Sequence, residues 1–104
     1  MSLSEMIFFE RFEADILSGK KTITIRDESE KDYSLNSIVQ VVTYENNRWF
    51  CELKIKNVEE ITFSKLSCFH AKQENMTLSE LKDVIRKIYP NVEKLYVISY
   101  ELIE

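Results

Sequence analysis

One glycine and one proline in 104 residues leave this chain few places to turn without strain. Glycine takes positive φ at no steric cost and proline removes a backbone donor, so Gly19 and Pro90 punctuate any fold the chain adopts. Before Gly19, Phe9, Phe12 and Ile16 recur at three- and four-residue steps, which predicts a helix over Glu10 to Ser18. Gly19 then suits the left-handed C′ position that ends many helices. Before Pro90, Leu78, Leu81, Ile85 and Ile88 form an apolar stripe. Thr77 and Glu80 frame its start as a capping box, and Pro90 stops it. With no Ser- or Gly-rich linker, low-complexity tract or repeat, the chain reads as a single domain over residues 1–104. Its 44% hydrophobic residues suffice for one modest core.

After Gly19 the run Lys21 to Arg26 alternates as a strand, with Ile23 and Ile25 toward a core and Thr22, Thr24 and Arg26 on the other face. Lys21 and Thr24 would face opposite sides of an ideal strand, so a bend after Gly19 is needed to bring them together. Asp27 to Asn36 is a polar loop long enough to carry function. Ser37 to Tyr44 and Arg48 to Lys56 read as a hairpin through Glu45-Asn46-Asn47, with Trp49, Cys51, Leu53 and Ile55 on the buried face. Met6 to Phe9 reads as a short first strand, Leu95 to Ile103 as the final strand, and Ser64 to Gln73 as a weaker helix. A short strand, a helix, three or four strands, two helices and a closing strand predict an α+β domain. The expected form is a small, mostly antiparallel β-barrel with flanking helices.

The net charge of −4 argues against a broad grip on a nucleic-acid backbone and leaves room for a small substrate or one nucleoside. Two cysteines in no CxxC pair point to a reducing compartment, and the acidic N-terminal stretch is not a signal peptide. No apolar stretch reaches membrane-spanning length, so the expected location is the cytoplasm, with no membrane partner.

Gly19-Lys20-Lys21-Thr22 is not a phosphate-binding loop, because Ala14 stands where an earlier glycine is required and the order of elements is reversed. Cys51, Cys68 and His70 match no zinc spacing, so no metal or other cofactor is expected. Trp49, Tyr96 and Tyr100 alternate along strands, where aromatics usually build core. Gln73-Glu74-Asn75 lies between two helices, where its carboxylate can point into a cleft.

Phe8 to Phe12, Ile16 to Ser29 and His70 to Leu78 together closely resemble the small bacterial N(4)-acetylcytidine amidohydrolases, single-domain members of the ASCH group with a PUA-like fold. The resemblance spans nearly the whole chain. It implies metal-independent hydrolysis of the acetyl amide on an acetylated cytidine nucleoside or base, carried by Lys21, Thr24 and Glu74. A threonine hydroxyl needs a base to become a nucleophile, and Lys21 serves as one only if its pKa falls by about 3 units. Glu74, in its acid form, would protonate the leaving nitrogen. Arg26, on the face of Thr24, is a candidate for holding the substrate or its oxyanion. The alternative reading is a non-catalytic PUA-like module that binds RNA or modified nucleosides, which the acidic charge disfavours.

Overall fold

A computed structural model describes residues 3–103. Met1, Ser2 and Glu104, included in the single-domain reading, lie outside the described residues. In chain order the elements are β1 (Glu5–Phe8), α1 (Glu13–Leu17), β2 (Ile23–Arg26), β3 (Ile38–Thr43), β4 (Trp49–Thr62), α2 (Cys68–Gln73), α3 (Leu78–Ile88) and β5 (Lys94–Ile103). Short 3-10 turns at Glu10–Phe12, Glu28–Glu30 and Phe63–Lys65 fill the gaps.

The five strands form one sheet in the order β1-β3-β4-β5-β2, antiparallel throughout except for the parallel β1–β3 pair. β1 and β2 are its two ends, so the mixed α+β class holds while the expected closed barrel does not. One side chain spans the opening, the Arg26 guanidinium at the end of β2, whose Nη2 donates to the Ile7 carbonyl of β1 at 2.7 Å. That leaves a cleft where a fifth strand pairing would otherwise lie.

β5 shows how period-two alternation feeds two cores at once. Leu95 and Val97 face α2 and α3 with Ile23, Ile25, Leu81 and Ile85, whereas Ile98 and Tyr100 pack on the opposite face with Met6, Phe8, Val39 and Leu53. Each such buried aliphatic side chain is worth about 2 kcal/mol relative to exposure. Because Thr24 pairs with Ile98 and Ile25 with Val97, Thr24 points away from the helices and toward the cleft.

β4 runs far past the hairpin to Thr62, with a register shift near Lys56 against β5. A second shift, between Val41 and Val42, breaks the alternation beside Trp49. Cys51, Leu53 and Ile55 are buried as their spacing predicts, but Trp49 is 54% exposed and donates its indole N–H to Gln40 Oε1. The α3 capping box forms as predicted, with Glu80 N donating to Thr77 Oγ1 and Thr77 N to Glu80 Oε1. Its stripe is buried at Leu81 and Ile85 and runs out at Ile88, which is exposed.

Candidate active site

Two helix ends, each finished by a left-handed residue, bring the cleft's central pair together. α1 ends with Gly19 at φ +81°, and Lys21 N then donates back to the Asp15 carbonyl at 3.0 Å. Strand geometry begins only at Ile23. Lys21 therefore lies in the bend before the strand, and the opposition expected of an ideal strand is removed. α2 ends with Asn75 at φ +57°, where Asn75 N bonds the Lys72 carbonyl and Met76 N the Ala71 carbonyl. This pair of bonds is a Schellman motif with Glu74 as its C-cap.

The two turns are tied to each other. Thr22 N donates to the Gln73 carbonyl at 2.8 Å, and Asn75 Nδ2 to an Asp15 carboxylate oxygen at 3.2 Å. Tyr100 of β5 completes the clamp, its backbone N donating to Thr22 O and its hydroxyl to Lys21 O.

Within this frame the Lys21 ammonium group contacts the Glu74 carboxylate directly, and Nζ also donates to the Ile23 carbonyl at 3.0 Å. Lys21 is 3% exposed and Glu74 5%. The rings of Phe12 and Phe8 lie 5.0 and 5.7 Å from Nζ. Burial first, then the Arg26 guanidinium, lowers the Lys21 amine from 10.5 to about 7, against the opposing pull of Asp15. This is the fall that a lysine base at neutral pH requires.

Thr24, 4% exposed, lines the same cleft. Its Oγ1 accepts from Arg26 Nε at 2.9 Å. The other guanidinium nitrogens are also engaged, Nη1 with Glu30 Oε2 at 2.6 Å and Nη2 with Ile7 O. Lys21, Thr24, Arg26 and Glu74 thus all line one cavity of about 490 Å³, which has room for a nucleoside. A direct Lys21–Thr24 hydrogen bond is not among those of the described residues. Mostly apolar walls, including Phe8, Phe12, Tyr33 and Met76, surround these polar groups.

Cys51, Cys68 and His70 are not brought together. Cys51 is buried in β4, its thiol pushed up to about 11 by burial, while Cys68 is exposed at the start of α2. His70 uses Nδ1 to accept from Ser67 N in the α2 cap. Tyr96 and Tyr100 are core residues. Glu30 and Tyr100 are site neighbours that the sequence reading overlooked. Glu30 sits four residues after Arg26, but the polar loop concealed that pairing, and the Tyr100 contact depends on the β2–β5 pairing.

Residues 4–101 match the ASCH domain family. The chain is 64% identical to an N(4)-acetylcytidine amidohydrolase of Vibrio vulnificus (strain YJ016) over 98 residues, covering 94% of each chain. It is 52% identical to one of the same name from Shewanella oneidensis, covering 97% of each. Among solved structures, an ASCH domain from Lactobacillus crispatus JV V101 is similar in fold, with TM-score 0.76 at 15% identity over 97% of this chain and 80% of that one. A protein of Enterococcus faecalis V583 superposes with TM-score 0.77 at 17% identity, covering 99% and 78%. No helix of the described residues is long and apolar enough to cross a membrane.

Proposed function

The chain belongs to the ASCH domain family, and from that premise we propose that it is an N(4)-acetylcytidine amidohydrolase that releases cytidine and acetate. The observation that carries the chemistry is the buried Lys21–Glu74 pair beside Thr24, with the Lys21 amine poised near pH 7.

A lysine and a glutamate in contact share one proton that can sit on either group, and burial favours the form in which both are neutral. Neutral Lys21 takes the Thr24 proton as Oγ1 attacks the acetyl carbonyl. As the C–N bond breaks, Glu74 delivers its proton to the departing N4 of cytosine. The acyl-enzyme state then holds Lys21 charged, Glu74 ionised and an acetyl ester on Thr24. In the second half Glu74 takes a proton from water, the hydroxide attacks the ester, and Lys21 returns its proton to Thr24 as acetic acid leaves and ionises to acetate in solvent. Two proton transfers each way restore the starting pair without change in its net charge.

Arg26, with all three nitrogens engaged, is better suited to hold the Thr24 oxygen than to receive the substrate carbonyl. Its Nε–H occupies one lone pair of Oγ1, leaving the hydroxyl proton free for the base, and it favours developing negative charge there. Three carboxylates, Glu5, Glu30 and Glu74, share the cleft with Lys21 and Arg26. This charge balance supports an uncharged nucleoside or base as substrate and disfavours RNA.

The test is release of cytidine from N(4)-acetylcytidine by the purified protein. Thr24→Ala and Lys21→Ala are expected to reduce kcat by about a thousandfold or more, and Glu74→Gln to lower kcat more than it raises KM. Full activity in either alanine variant sinks the mechanism. Tight, salt-dependent RNA binding without amide hydrolysis would instead favour a binding module.

A further inference from the structure

We propose that Glu30 is a positioning residue for the Thr24 hydroxyl, acting through Arg26. The inference rests on Thr24 being the nucleophile.

Arginine offers a planar fork whose donors keep fixed relative directions, so anchoring Nη1 and Nη2 also determines where Nε–H points. In this cleft Glu30 Oε2 anchors Nη1 at 2.6 Å, the Ile7 carbonyl anchors Nη2 at 2.7 Å, and Nε then meets Thr24 Oγ1 at 2.9 Å. The Phe8 ring lies 4.8 Å from the guanidinium carbon and limits its movement on one side. Of the two anchors, only Glu30 carries charge.

Glu30 is itself presented by a fixed turn. Asp27 caps it by accepting from Ser29 N and Ser29 Oγ, and Glu30 N donates to Asp27 O at 3.1 Å. Behind it the Tyr89 hydroxyl, just past α3, lies 3.5 Å from Glu30 Oε1. The Glu30 side chain is 40% exposed, so its removal does not open the core.

The charge of Glu30 reaches further than its contact. Lys21 is faced by Glu74 from the end of α2, Asp15 from α1, Arg26 from β2 and the Tyr100 phenol from β5. Behind Arg26 stand Glu30, Glu5 of β1, Tyr33 and Tyr89. Arg26 holds the Lys21 pKa down and Glu30 partly neutralises Arg26. Without the carboxylate, the unopposed guanidinium pushes the Lys21 amine to lose its proton at lower pH.

Two variants separate the hydrogen bond from the charge. Glu30→Ala is expected to lower kcat about tenfold, the equivalent of one hydrogen bond to a charged group, with KM within twofold. Glu30→Gln keeps an acceptor for Nη1 and is expected to recover most of that kcat. Its acidic limb of kcat/KM should nevertheless move down by about half a pH unit, with the Lys21 amine resonance in NMR titrating in step. Unchanged kcat in Glu30→Ala overturns the proposal, as does a raised KM at constant kcat, which would place Glu30 against the substrate. An unmoved limb in Glu30→Gln overturns the electrostatic link, and that variant alone carries the test if Glu30→Ala does not fold. Thr24→Ala assayed alongside keeps the two ideas apart. Activity there defeats the nucleophile reading, whereas an inactive Thr24→Ala beside an unaffected Glu30→Ala defeats only the role of Glu30.

Discussion

The two halves of the cleft are built differently. Lys21 and Glu74 sit on helix-ending turns, both almost fully buried, and the Lys21 amine meets the Glu74 carboxylate, the Ile23 carbonyl and the rings of Phe8 and Phe12. Thr24 and Arg26 sit on a strand held by β5, and their hydrogen bonds lead outward to a half-exposed Glu30. Burial makes the first half sensitive to protonation, because a dry environment penalises whichever group is charged. The second half is tuned by geometry, because a charge that reaches solvent is screened and its main effect is to aim its neighbours.

The largest effect that sharpens this contrast is on stability. The folded Lys21 amine titrates near 7 and the unfolded one near 10.5. From pH 7 to 9 the unfolded pair carries one proton, on Lys21, and the folded pair also keeps one, on Glu74, so the wild-type pair adds no slope to stability. Glu74→Gln removes the second site and leaves a neutral folded amine against a charged unfolded one, so urea unfolding of that variant from pH 7 to 9 should show stability rising by up to about 1.4 kcal/mol per pH unit. A flat profile in Glu74→Gln would erase the difference between the halves.

A smaller loss is expected at the turn that delivers Lys21. A Cβ added to Gly19 meets nothing within 4 Å, so the cost of Gly19→Ala comes from φ +81° alone. It should be about 1 kcal/mol, read as a fall of several degrees in Tm, while Gly19→Asn should lose less. If alanine is neutral there, the left-handed turn is not what delivers the lysine.

Smallest is Tyr89→Phe, at the outer end of the hydrogen-bonded chain. The hydroxyl lies 3.5 Å from Glu30, at the limit of a hydrogen bond, so kcat should change less than twofold. A tenfold loss would mean that coupling does not fade toward solvent in this half.

Much of the local structure was legible in the residues. Gly19, the Thr77–Glu80 box and the alternation through Ile23, Ile25 and Leu95 to Leu102 each announce their geometry, because each depends on neighbours within a few positions. Trp49 was misread because its alternation predicts burial, whereas the extra residue Phe50 in its own strand shifts its register against Val42. The barrel was misread for a related reason. Closure depends on whether the two end strands pair, and here a guanidinium bridges them instead.

The sequence by itself pointed to Lys21, Thr24 and Glu74 through a family resemblance and to the turn at Gly19 through its residue type, since motifs and turn preferences are local properties. Only the tertiary structure decided that Lys21 and Glu74, fifty-three positions apart, share a dry contact and that Arg26 faces Thr24. Burial depth and the direction of a side chain arise from elements that meet in space, and no short window of sequence contains them.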